Sequence, residues 1–266
     1  SATTLDLSNF DTSKVINMKS MFEYSQATTL NLSSFNTSNV TDMSGMFLES
    51  SVSILDLSSF NTSKVGNMSN MFQNSKATTL DISNFNTSNV TDMGAMFANS
   101  QATILDVSKF DTSSVTSMGS MFSSSKATTL DVSKFNTSNV TGMSGMFSWS
   151  NATKIDGLNN FDTSNVTDMS YMFNGCQAIT LDLSSFNTSK VTDMGYMFYN
   201  ASKLKTIYAS DKFVTDNVTN STDMFYGNSS LVGGSGTRFK NSYSNKTYAR
   251  IDGGTDLPGY FTLKTN

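Results

Sequence analysis

The sequence predicts an α/β repeat solenoid, and three observations carry that prediction. One motif, L-D-L-S-x-F-N-T-S-x-V-x-x-M-x-x-M-F, recurs along most of the 266 residues. Its leading aliphatics Leu5, Leu30, Leu55, Leu80, Leu105, Leu130 and Ile155 stand 25 residues apart, and Leu181 and Ile207 follow at spacings of 26. All 17 methionines fall at two positions of the motif. A fixed period of this size means that each unit is one supersecondary element unable to bury its own apolar face, so stacked neighbours bury it.

The unit 27–50 shows how each element is predicted. Leu30 and Leu32 alternate with Thr29, Asn31 and Ser33, the period of two expected of a short strand with its leucines inward. Phe35 follows, then Asn36-Thr37-Ser38, residue types that bond to nearby backbone and favour turns and helix N-caps. Val40, Met43, Met46 and Phe47 fall at i, i+3, i+6 and i+7, which predicts one face of a short helical segment, α or 3₁₀. Gly45, Ser50 and Ser51 loosen the chain and return it to the next strand. One short strand and one short helical segment per coil make the fold leucine-rich-repeat-like, with a parallel sheet on one face. A parallel β-helix is the rival. The i, i+3, i+6, i+7 segment speaks against it, because a β-helix would show period two on every face.

The core follows from the columns. One phenylalanine row runs from Phe10 through Phe35 to Phe213 and a second from Phe22 through Phe47 to Phe225. Methionine fills the irregular space beside them. Copper binding by the thioethers is the functional alternative, and the regular spacing beside phenylalanine favours packing. About nine repeats fill 1–230, and strand neighbours about 4.8 Å apart give an array on the order of 40 Å long. Segment 231–266 loses the period. Tyr248-Ala249-Arg250-Ile251 and Tyr260-Phe261-Thr262-Leu263 read as strands, with Pro258-Gly259 as a turn between them. This segment is expected to be a small β-rich cap over the last core layer.

Composition narrows the function. Net charge is −4, and the 17 Lys and Arg are scattered. Nucleic acid is therefore not an expected partner, since phosphate binding needs clustered cations. No apolar run approaches membrane-spanning length, so insertion is not expected either. There is no histidine, which removes the commonest general base and His-based metal sites. The lone Cys176 occupies a column of serines that includes Ser125 and Ser150, and reads as a small turn residue rather than a nucleophile. The chain opens at Ser1 without an initiator methionine, the expectation being a piece of a longer protein with its N-terminal cap outside it.

The repeat L-D-L-S-x-F-N-T-S-x-V-T-D-M-x-x-M-F resembles that of BspA-like leucine-rich-repeat surface proteins. The ending, with Gly236-Thr237, Tyr248-Ala249-Arg250-Ile251-Asp252-Gly253 and Pro258-Gly259-Tyr260-Phe261-Thr262, resembles the closing segment often found after such repeats. The resemblance implies a protein secreted and anchored to the cell wall of Gram-positive bacteria. It also implies an adhesin for a host glycoprotein, mucus or mucin, or an extracellular-matrix protein. The alternative is a structural stalk presenting another domain of a longer protein. A monomer is expected.

Binding is expected through the strand face of the solenoid, with an aromatic patch as the alternative surface. The first is the solvent face of the strands, with Asp56, Asp81, Asp106, Asp131, Asp156 and Asp182 in one unbroken column, flanked by Thr79 and Thr129. Carboxylates one strand apart repel by roughly 0.8 kcal/mol per pair even in bulk water. Such a row could meet a basic patch, hydrogen-bond sugar hydroxyls or bind calcium weakly at Asp81, Asp106 and Asp131. It could equally bond only to neighbouring Thr and Ser. The second is an aromatic patch of Trp149, Tyr171, Tyr196 and Tyr199, where Tyr171 and Tyr196 replace Ser20, Gly45, Asn70, Ala95, Ser120 and Gly145 of earlier coils. Packing against the cap is the alternative there. No catalytic residue and no cofactor is expected, because a repeated carboxylate column offers no two distinct environments for an acid and a base.

Overall fold

The computed structural model describes residues 3–264, and they form a parallel β-solenoid with almost no helix. Its strands are β1 (Thr4–Leu5), β2 (Thr29–Leu30), β3 (Ile54–Leu55), β4 (Thr79–Leu80), β5 (Thr129–Asp131), β6 (Lys154–Asp156), β7 (Thr180–Asp182), β8 (Thr206–Ala209) and β9 (Phe261–Leu263). Register is that of the repeat: Leu5 faces Leu30, Leu55 faces Leu80, and Asp131 faces Asp156. A second line of parallel bridges runs unbroken from Asn17 through Asp42, Asn67, Asp92, Ser117, Gly142, Asp168 and Asp193 to Asn220.

The expected helical segment is absent, and its hydrogen bonds explain why. In the arc from Met43 to Ser50, alternate N–H groups leave the coil. Those of Met43, Gly45, Phe47 and Glu49 donate to Asn67, Ser69, Met71 and Gln73 of the next coil at 2.8–3.1 Å. The intervening groups close i to i−3 turns, Met46 to Met43, Leu48 to Gly45 and Ser50 to Phe47. Gly45 (φ 61°) and Glu49 (φ 54°) take the left-handed conformation and reset the chain direction after each turn. A helix would consume every N–H internally and leave nothing to bind the coils together. This run of turns still points Met43, Met46 and Phe47 inward, fully buried, so it gives the same spacing as a helix.

The remaining corners are built by short polar side chains. Asn36 Oδ1 accepts the Ser38 N–H at 3.1 Å, an Asx turn with no helix after it. Thr37 beside it is buried. Its hydroxyl donates to the Asn61 carbonyl at 3.0 Å and accepts the Asn61 N–H at 2.7 Å. The threonine thus stands in for a peptide group in the coil-to-coil ladder. The same double bond joins Thr62 to Asn86 and Thr112 to Asn136.

The interior is one continuous cluster. The inner phenylalanines from Phe22 to Phe225 stack in file with ring centroids 5.3–5.8 Å apart, inside the range in which aromatic pairs attract. From Met43 onward the methionines are buried among them, a gap-filling position. At the C-terminal end, β9 pairs parallel with β8 and continues the sheet. Tyr260 and Phe261 are buried and Phe261 meets Phe213 and Phe225. Of the two strands expected there, only Phe261–Leu263 forms. The other is replaced by the 3₁₀ turn Lys246–Tyr248 and a single bridge from Ile251 to Phe261. In the first coil Phe10 is 54 % exposed where Phe35 is 3 % exposed.

Asp252 holds the ends of the closing loops. Its carboxylate accepts N–H groups from Ser235, Thr237 and Gly254 and the Thr237 hydroxyl, at 2.6–3.0 Å. Burial pushes its carboxyl up, but the Thr237, Gly254 and Ser235 donors outweigh that and bring the pKa down to about 2. Cys176 is buried, and desolvation pushes its thiol up to about 12, in keeping with a packing residue.

Candidate ligand-binding surfaces

On the strand face the structure brings the aspartates into one row, exposed from Asp56 to Asp156 and half-buried at Asp182, and nearly every member closes a turn. Oδ1 of Asp56, Asp81, Asp106 and Asp131 accepts the N–H of the serine two residues on, at 2.9–3.1 Å. Ser83 and Ser108 add their hydroxyls at 2.7 and 2.6 Å. The serine hydroxyls, and after them the serine N–H groups, hold these four carboxyls below the usual carboxylate range. Asp156 lacks a serine two residues on and pairs instead with Lys154 Nζ at 2.6 Å. Asp182 pairs with Lys264. Its burial raises the carboxyl, and Lys264 with Ser184 more than reverse this. The row's repulsion is therefore offset locally.

Thr79 and Thr129 are exposed beside the row, facing Ile54 and Lys154 in register, so the threonine column is interrupted. A shallow depression of about 490 Å³ lies over Thr153, Lys154, Ile155, Asp156, Ile179, Thr180 and Asp182. Among the described residues no group of three or more Asp, Glu, His or Cys is arranged to hold a metal ion. Asp81, Asp106 and Asp131 each offer one carboxylate per coil.

The aromatic patch is assembled by the arc of turns. Tyr171 and Tyr196 occupy successive coils of one left-handed column, both at φ 58°. Their rings stack at 4.9 Å. Tyr196 meets Tyr199 edge-on at 5.5 Å, and Tyr199 stacks on Tyr226 at 5.6 Å. Trp149, at φ 54° in the neighbouring left-handed column, lays its indole across Gly175 of the next coil. A Cβ on Gly175 would meet the ring at 2.5 Å. Trp149 is 51 % exposed, Tyr171 43 % and Tyr226 40 %. Among the described residues no ring pair joins this ladder to the cap aromatics Phe239, Tyr243, Tyr248 and Tyr260, which stack among themselves.

Two participants escape a column-by-column reading of the sequence. Gly175 matters because it leaves room for an indole from the coil before. Asn174 is buried and its Oδ1 has no hydrogen-bond partner. Its backbone ties the two aromatic columns together: its N–H donates to the Tyr171 carbonyl at 3.0 Å, and its carbonyl accepts the Trp149 N–H at 2.6 Å. Its column varies from coil to coil, with Glu23, Leu48, Gln73, Ala98 and Ser148 at the same place, so the sequence carries no signal for it.

Neither the curated proteins nor the solved structures gave a match to this chain. A family model described as "Mycoplasma protein of unknown function, DUF285" matches in three overlapping stretches, residues 1–103, 75–157 and 131–234. These stretches cover the solenoid coil after coil, and the chain belongs to that family.

Proposed function

We propose that the chain is a non-catalytic adhesion module of an extracellular bacterial surface protein, binding a host glycoprotein, mucin or matrix protein. The observation that carries this reading is the aromatic edge. Trp149, Tyr171 and Tyr196 put bulky aromatic side chains at positive φ in three consecutive coils, outside the core, where most other coils have Gly, Asn, Ser or Ala and only Tyr24 and Glu49 are also bulky. Left-handed backbone costs a bulky residue roughly 1–2 kcal/mol, and such strain is kept where it serves a site. The rings add nothing to the Phe22–Phe225 stack. Further support comes from the resemblance to BspA-like surface proteins, which also suggests wall anchoring as part of a longer protein. The acidic strand row is a weaker ligand surface, because its carboxylates already close turns.

A second reading, a spacer that only holds another domain away from the cell wall, has one observation in its favour. The coils before Trp149 are near-identical, and the exposed ring they place at positive φ, Tyr24, has no ring pair among the described residues. Titration of the chain over immobilised mucin and matrix proteins separates the two. Saturable binding supports the adhesion module, and its absence from every surface supports the spacer.

A further inference from the structure

We infer that the edge between Trp149 and Tyr199 is a subsite for a neutral saccharide, with the Trp149 indole as platform and Asn174 as polar anchor. This rests on the binding-module reading above and names the ligand class. The indole lies flat across Gly175 and is half-exposed, so one face is supported by backbone and the other is free. Beside it Asn174 is buried with Oδ1 unpartnered. A buried acceptor without a donor costs about 1–3 kcal/mol, and a ligand hydroxyl supplies the missing donor. Tyr171, stacked on Tyr196 at 4.9 Å, accepts the Asn174 N–H at its carbonyl.

Trp149, Asn174, Gln177, Tyr171 and Tyr199 are themselves uncharged, while Lys203 and Lys205 line a depression with Gln177. Gln177, whose Nε2 is held by the Gly175 carbonyl at 3.0 Å, adds a second amide close by. The ion pairs among the described residues, Lys154–Asp156 and Asp182–Lys264, belong to the strand face. An aromatic face for an apolar ring surface, with a few convergent amides for a polar rim, is the general form of a small-ligand site. A pyranose presents both, C–H groups on its face and hydroxyls on its edge. Coils repeat at about 4.8 Å, close to the length of one sugar residue, and Trp149 and Tyr199 lie two coils apart, so a chain running along the axis would meet them with one residue between.

Trp149 is the only tryptophan of the chain, so its emission reports on this edge alone. The probes are triacetylchitotriose, cellotriose and maltotriose, followed by tryptophan fluorescence and calorimetry. At least one is expected to shift the emission saturably. Trp149→Asn should then weaken that ligand at least about tenfold, the loss of a stacking platform. Its melting temperature should stay unchanged, because Asn74, Asn99 and Asn200 already occupy this left-handed column. No saturable response to any of the three, or equal binding by Trp149→Asn, overturns the proposal. Mucin stripped of its glycans separates the two levels. Binding to the bare polypeptide without a response to the trisaccharides sinks the saccharide subsite and leaves the adhesion module standing. Failure to bind intact mucin or any matrix protein removes both.

Discussion

The coils before Trp149 and those after it share one interior and differ at the surface. The inner phenylalanine stack runs through both at 5.3–5.8 Å, and Val40, Val115 and Val191 are buried alike. The left-handed column holds Ser20, Gly45, Asn70, Ala95, Ser120 and Gly145 in the first group and Tyr171, Tyr196 and Asp223 in the second. The fold needs only a residue that tolerates positive φ at this position. Whatever keeps tyrosine there acts outside the core. The first and last coils differ too: Phe10 is 54 % exposed, while Tyr260 and Phe261 are buried.

The largest effect should come from breaking what the two groups share. Phe122 is fully buried and stacked on both Phe97 and Phe122's other neighbour Phe147, at 5.8 and 5.7 Å. Phe122→Ala should cost about 3–5 kcal/mol in denaturant unfolding. A cost below about 1 kcal/mol would mean that the stack does not carry the fold.

The closed end gives the next effect. Asp252 has a folded pKa of about 2 against an ordinary 3.8, so its contribution is full above the unfolded value and is lost as pH falls through the folded one. It amounts to about 2 kcal/mol. Stability should drop between about pH 4 and pH 2, and Asp252→Asn should remove that part of the drop. An unchanged acid limb in the variant would show that the carboxylate does not hold the cap.

These contrasts also show what could be read from the sequence. The strands, the two phenylalanine rows and the buried methionines were legible because inward columns repeat with one residue type. The helical segment was misread because Val40, Met43, Met46 and Phe47 face inward in a helix and in a run of turns alike. The distinguishing signal was present in Gly45, Asn70, Asn74, Asn99, Gly145 and Gly175, residues that tolerate the left-handed conformation. The aspartate row was legible as exposed. Its role depended on the serine two residues on, as in Asp81-Ile82-Ser83. Asp252 could not be read, since, beside Gly254 two residues on, its donors Ser235 and Thr237 come from a loop about fifteen residues earlier.

The smallest effect on stability is expected where the two groups differ. Tyr171→Gly combined with Tyr196→Asn restores residues that earlier coils use at the same φ, and removes strain of roughly 1–2 kcal/mol per residue against the lost ring stack. The melting temperature should stay within a few degrees of the parent or rise. A large fall would mean that the rings hold the C-terminal coils together and serve the fold.

Binding to intact mucin by three forms of the chain tests the central claim most directly. The forms are the parent, Trp149→Asn with Tyr171→Gly and Tyr196→Asn, and Asp81→Asn with Asp106→Asn and Asp131→Asn. The account predicts that the aromatic variant loses binding at least about tenfold, more than 1.4 kcal/mol, while the aspartate variant binds like the parent. Loss of binding in the aspartate variant with the aromatic variant unaffected would contradict it and move the site to the strand face.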